Sequence, residues 1–154
     1  MILPVFISTF AAMARIMAID YGRKRTGVAV TDSLQMIANG LATVPSGELV
    51  QFLQEYTAKE AVELIVVGQP KQMNNEPSEN MRYVQAFVTH LKRTLPQIPV
   101  VYYDERFTSV MAHQAMLEGG LRKKKRQEKG LVDEISAVII LQAYLESKKY
   151  RLNL

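Results

Sequence analysis

Three acidic stations stand far apart in this chain, each at the end of an apolar run. Asp20 lies in Ala18-Ile19-Asp20-Tyr21-Gly22, the pair Asp104-Glu105 follows Val101-Tyr102-Tyr103, and Asp133 heads a long apolar stretch in Leu131-Val132-Asp133-Glu134. A carboxylate at the rim of a core element loses hydration, which is costly unless something positive sits against it. If a fold gathers the three stations, a divalent cation is their simplest partner. Hard cations take oxygen ligands, and a cation so held is the usual equipment for cutting phosphodiesters. Each acid also has a plainer account. Asp20 can bond the backbone of the turn at Gly22, and Glu105 can pair with Arg106. Asp133 can complement a helix dipole, although Glu134 is available for that task.

The basic side chains are unevenly placed. The net charge is +4 over 154 residues. Between positions 119 and 130, Arg122, Lys123, Lys124, Lys125, Arg126 and Lys129 face one acid, Glu128, so this stretch carries +5 and the rest of the chain −1. A local patch of this kind suggests a polyanion partner, and a solvated loop held open by self-repulsion is the alternative on charge alone. Lys24 and Arg25, in the turn after Asp20, could meet a phosphate backbone or simply form a polar hairpin tip. Arg106 could orient Glu105, contact a phosphate or make a surface ion pair. His90 and His113 have no partner at ligand spacing and read as ordinary side chains.

The length suits one domain with a sizeable core. Hydrophobic residues make up 48% and charged residues 22%, a globular balance. Cysteine is absent, which excludes disulfides, thiolate nucleophiles and zinc-thiolate sites and fits a reducing cytosol. A cytoplasmic location is therefore expected. Ile2-Leu3-Pro4-Val5-Phe6-Ile7 is apolar but too short to span a bilayer, and no basic residue precedes it as in a signal peptide. Residues 1–12 read as a non-structural extension ahead of a single domain, 13–154. No other stretch reaches membrane-spanning length, so no membrane partner is expected.

The elements that must position the acids follow from periodicity. Arg15 to Asp20 and Thr26 to Thr31 read as strands joined by a short antiparallel turn, with a third strand over Gly40 to Val44. Pro45-Ser46-Gly47-Glu48 signals a helix start, and Leu49, Val50, Phe52, Leu53 and Tyr56 supply a helical stripe ending near Glu60. Leu64 to Gly68 suits a buried parallel strand. Ser78 is placed to cap a helix with the stripe Met81, Val84, Phe87, Val88, Leu91. Val100 to Tyr103 reads as another buried strand, Ser109 to Leu117 as a helix stopped by Gly119-Gly120, and Val132 to Ser147 as the last helix, with Asp133 in its first turn. The order β-β-β-α-β-α-β-α-α predicts an α/β fold: a mixed five-stranded sheet, a three-stranded antiparallel meander plus parallel strands, with helices on both faces. Strand ends at one edge of such a sheet are where open α/β folds bind ligands.

Ala18-Ile19-Asp20-Tyr21-Gly22-Arg23-Lys24-Arg25-Thr26-Gly27-Val28-Ala29-Val30-Thr31-Asp32 closely resembles the opening motif of the YqgF (RuvX) family. Val67-Gly68-Gln69-Pro70 is similar to its second motif and Asp104-Glu105-Arg106-Phe107-Thr108-Ser109 to its third. Val132 to Gln142 is similar to its C-terminal helix. The match runs in order from about Met13 to the end. One departure stands out: where the family has a run such as Leu-Asn-Met-Asp-Gly after its second motif, this chain has Lys71-Gln72-Met73-Asn74-Asn75, without the acid and the glycine. Asn75 can still take a positive φ.

The resemblance implies an RNase H-like fold and a nuclease that matures the 5′ end of pre-16S ribosomal RNA; the family is also described as Holliday-junction-resolvase-like. Carried over by position, the catalytic and metal-binding set is Asp20, Glu105 and Asp133, with Asp104 a lesser ligand candidate. Two Mg²⁺ or Mn²⁺ ions about 4 Å apart, with Asp20 shared, would bridge the scissile phosphate. Lys24, Arg25, Arg106 and the loop Arg122, Lys123, Lys124, Lys125, Arg126 would hold flanking phosphates of pre-rRNA or branched DNA. A monomer or weak homodimer is expected. Three other functions compete: a resolvase of four-way DNA, which needs two coordinated cuts and hence a dimer; a non-catalytic nucleic-acid-binding module; and a relative of the actin-like ATPases. The last need two such domains where this chain supplies one.

Overall fold

The computed structural model describes residues 14–70, 79–104 and 129–152. Strands β1 (Arg15–Asp20), β2 (Arg25–Thr31) and β3 (Ala38–Pro45) form the meander. A 3₁₀ turn, Ser46–Glu48, leads into α1 (Leu49–Lys59). Then come β4 (Val62–Gln69), α2 (Met81–Thr94), β5 (Val100–Asp104) and α3 (Lys129–Leu152). The sheet order is β3-β2-β1-β4-β5. β1 runs antiparallel to β2 and parallel to β4, which is parallel to β5. The mixed five-stranded sheet with helices on both faces is as expected. The residue 1–12 extension, the helix expected over 109–117, the loop 71–75 and the basic loop lie outside the described residues.

Strand alternation divides the interior in two. Met17 and Ile19 of β1, Val28 and Val30 of β2, and Ile65 and Val67 of β4 face α1 and α2, joining Leu49, Leu53, Val84, Phe87, Val88 and Leu91. The buried side chains of α2 recur every three or four residues, which is why this segment is a helix laid on a sheet. On the other face Ile16, Ala18, Ala29 and Val66 pack against Ala137, Ile140, Leu141 and Leu145 of α3. The sheet residues under α3 include two alanines, so the helix comes in close.

Two expectations need correction. Val100 to Tyr103 reads as a buried strand, but β5 is the edge strand and leaves Val101 37% and Tyr102 38% exposed. An apolar, β-branched and aromatic run is compatible with either place in a sheet. Secondly, α3 begins at Lys129, so Asp133 lies in its second turn rather than its first. The N-terminal dipole acts most strongly on the first turn and gives little reason for an acid there.

The β2–β3 loop is built on Asp32. Its Oδ1 accepts from the amides of Met36 (2.9 Å) and Ile37 (2.8 Å), and its Oδ2 from that of Leu34 (3.1 Å). These bonds, that from Ile37 foremost, hold the carboxyl below its usual value near 3.8. Since the folded value is the lower one, the stabilisation is present above the unfolded pKa and is lost as pH falls through the folded pKa. Amide protection at Leu34, Met36 and Ile37 is expected to drop on acidification before that of β1. Asp32→Asn should remove this pH dependence; protection that stays constant through the acid range in the native chain would refute the assignment.

Candidate active site

Asp20 is the last residue of β1, and its partner across the antiparallel ladder is Gly27. It stands two residues beyond Ala18, which faces α3, so its side chain is on the α3 side of the sheet. The turn after it is tied down from both flanks. A Cβ at Gly22 would collide with the Arg25 carbonyl, so the tight turn requires glycine. Ser46 Oγ donates to the Gly22 carbonyl and receives a bond from Thr26 Oγ1 (2.8 Å), while the Ser46 amide donates to the Lys24 carbonyl (2.9 Å). On the other flank Tyr21 stacks on Phe87 of α2, centroids 4.9 Å apart, and Asn80 Nδ2 donates to the Tyr21 carbonyl (3.3 Å). Asp20 thus stands on a braced strand end.

Asp133 arrives from α3. A Cβ at Gly27 would overlap the Asp133 carbonyl and crowd the Glu134 amide, and one at Gly40 would overlap the Glu134 side chain. These two glycines form the seat of the helix. Gly27 is opposite Asp20 in the ladder, so the seat brings α3 to Asp20 at the position of Asp133. Arg25, two residues before Gly27, reaches Asp133 with Nε 3.6 Å from Oδ2. Both acids are half-buried, open to solvent on one side.

The third station sits two strands away. Ile19 is level with Val67, and Val67 with Tyr102, which sets β1 and β5 roughly 10 Å apart. Gly68, one residue past Val67 on β4, leaves the floor between them without a side chain. Tyr103 faces α3, so by alternation Asp104 faces the opposite side from Asp20 and Asp133. Glu105, Arg106 and Arg122, Lys123, Lys124, Lys125 and Arg126 lie outside the described residues. Lys24 is exposed at the hairpin tip. Sequence reasoning missed Gly27, Gly40 and Ser46 as positioning residues. A glycine inside a strand marks a close backbone approach, but the sequence does not say by what.

The donors suit a hard cation: carboxylate oxygens, with room left by Gly27 and Gly68 and access to water. Among the described residues no three acidic, histidine or cysteine side chains converge to hold an ion; Asp20 and Asp133 present two carboxylates on one face of the sheet. Also among the described residues, no helix is long and apolar enough to cross a membrane.

A profile of the RuvX family, described as Holliday junction resolvase, matches residues 14–147. A protein of Parabacteroides distasonis named as a candidate pre-16S rRNA nuclease is 79% identical over 140 residues, covering 91% of this chain and all of that one. A protein of the same name from Phocaeicola vulgatus is 68% identical over 138 residues, covering 90% of this chain and 99% of its own. Among solved structures, T. thermophilus RuvC in complex with a Holliday junction substrate superposes with a TM-score of 0.57 at 16% identity, over 88% of this chain and 96% of that chain. At that identity the likeness speaks for the fold alone, which is RNase H-like.

Proposed function

The chain belongs to the RuvX family, and on that premise we propose that it is a nuclease acting on structured RNA, with the 5′ end of pre-16S ribosomal RNA as its substrate. The observation that carries the reading is the seating of Asp133 against Gly27, the ladder partner of Asp20, which gives two carboxylates from distant parts of the chain to one face. The names of the relatives support the substrate. On this reading Asp20 and Asp133 hold a divalent cation, Mg²⁺ or Mn²⁺, with Glu105 as third ligand. Asp104, on the opposite face of β5, is the lesser candidate. When bound, the cation supplies Lewis acidity and an ionisable water at neutral pH.

The chain's own groups do the rest. Arg25 fixes the Asp133 carboxylate and balances part of its charge. Lys24, at the braced tip, meets a phosphate beside the one being cut, as do Arg106 and the 122–126 loop. The side-chain-free floor at Gly68 lets the strand approach the carboxylates closely. The braced strand end and the seated helix would hold Asp20 and Asp133 in place before the substrate arrives, so the carboxylates need not be assembled at each turnover.

The test is a side-by-side assay of a 5′-extended 16S precursor fragment and a four-way DNA junction, with Mg²⁺, with Mn²⁺ and with chelator. Cation-dependent cutting of the RNA is expected. Cutting of the junction alone would replace the substrate, and binding without cutting under either cation would replace the enzyme by a binding module.

A further inference from the structure

Beside the hairpin tip two arginines from different elements share one ring. Arg23 comes from the β1–β2 turn and Arg82 from the first turn of α2; their Cζ atoms lie 4.8 and 4.9 Å from the centroid of the Tyr83 ring. Arg82 Nη2 also donates to the Tyr83 hydroxyl (3.0 Å). The two guanidinium groups are therefore held within about 10 Å of each other. Both arginines are exposed, and among the described residues neither has an acid at ion-pairing distance. The hydrogen bond from Arg82, and then the charges of Arg82 and Arg23, hold the Tyr83 hydroxyl below its usual range, a sign of positive local potential.

Like charges held about one aromatic ring repel unless an anion joins them. A guanidinium stacked on a ring keeps most of its five N–H donors in plane and pointing outward, preorganised for the oxygens of a phosphate. Arg23 is three residues past Asp20, so their Cα atoms are no more than about 11 Å apart. We infer that Arg23, Arg82 and Tyr83 form a phosphate clamp that grips the nucleic-acid strand a few nucleotides from the Asp20–Asp133 site, with Tyr83 as the positioning residue. The substrate class rests on the nuclease reading; the clamp itself is tested without cutting.

Binding of a fluorescent single-stranded RNA is measured in chelator from 50 to 200 mM salt. Arg23→Gln/Arg82→Gln is expected to weaken binding on the order of tenfold at low salt and to flatten the log–log salt slope by about 0.7 for each phosphate that the pair no longer neutralises. Tyr83→Ala should weaken binding comparably although its charge is unchanged, and Tyr83→Phe, which keeps the ring, by less. Lys92→Gln/Arg93→Gln, which removes two charges from the last turn of α2 about 15 Å away, should change binding less than twofold. The clamp is overturned if Tyr83→Ala binds like the native chain, or if the Lys92/Arg93 control weakens binding as much as the arginine pair. If Tyr83→Ala does not fold by thermal denaturation, the contrast between the arginine pair and its control decides. A protein that passes these tests yet never cleaves overturns the nuclease reading and leaves the clamp standing.

Discussion

Asp20→Asn is expected to lower cleavage on the order of a thousandfold, about 4 kcal/mol in the barrier, while the fold and RNA binding survive. The substitution keeps the shape of the side chain but removes an anionic ligand and puts an N–H donor where a cation would sit. Binding should hold or tighten, because a carboxylate near phosphate repels it. Single-turnover cleavage and equilibrium binding measured on the same preparation separate these effects. Cleavage within threefold of the native rate would remove Asp20 from the chemistry.

Gly27→Ala should do the opposite, damaging fold and activity together. The added methyl meets the backbone of Asp133 and Glu134, not a side chain that can rotate aside. Either α3 lifts or β2 sags, and overpacking of this kind costs about 1–3 kcal/mol, or a melting temperature lower by roughly 4–10 °C. Because the displaced residue is Asp133, cleavage should fall up to about a hundredfold even where the protein is folded, since a shift near 1 Å at a reacting group has that scale of effect. Gly40→Ala is the internal control. Its methyl meets the Glu134 side chain, which can swing away, so its melting temperature should stay within about 2 °C of native. Equal stability of Gly27→Ala and the native chain would show that the seat is softer than its geometry.

Much of this is legible in the residues. The run Arg15-Ile16-Met17-Ala18-Ile19 ends in a charge and a glycine turn, so β1 falls within its predicted bounds. The α2 stripe from Met81 to Leu91 likewise emerges as a buried face. Other features are hidden because they depend on neighbours. Ser46 reads as part of a helix start, yet its hydroxyl braces the turn at Gly22. Asn80 stands at the head of α2 and its amide goes to Tyr21 instead of capping the helix; Ser78, the expected cap, lies outside the described residues. Lys129-Gly130 reads as loop because glycine is a poor helix former, but α3 already runs there. Most of all, Gly27 looks like the border of a polar turn, whereas its role is defined by a helix more than a hundred residues later. Asp20 and Asp133 can be named from the sequence as candidates; the contact that brings them to one face cannot.

The division of the interior by the sheet bears on how the molecule fails. Among the described residues, seventeen buried apolar side chains lie on the α1–α2 side and eight on the α3 side. Among the described residues α3 is the helix that covers the smaller compartment, lying across β1, β2 and β3. It is also the element that carries Asp133. The cover of the smaller core and the second carboxylate therefore stand or fall together: whatever loosens the helix on the sheet opens that interior and displaces one wall of the working face in a single event.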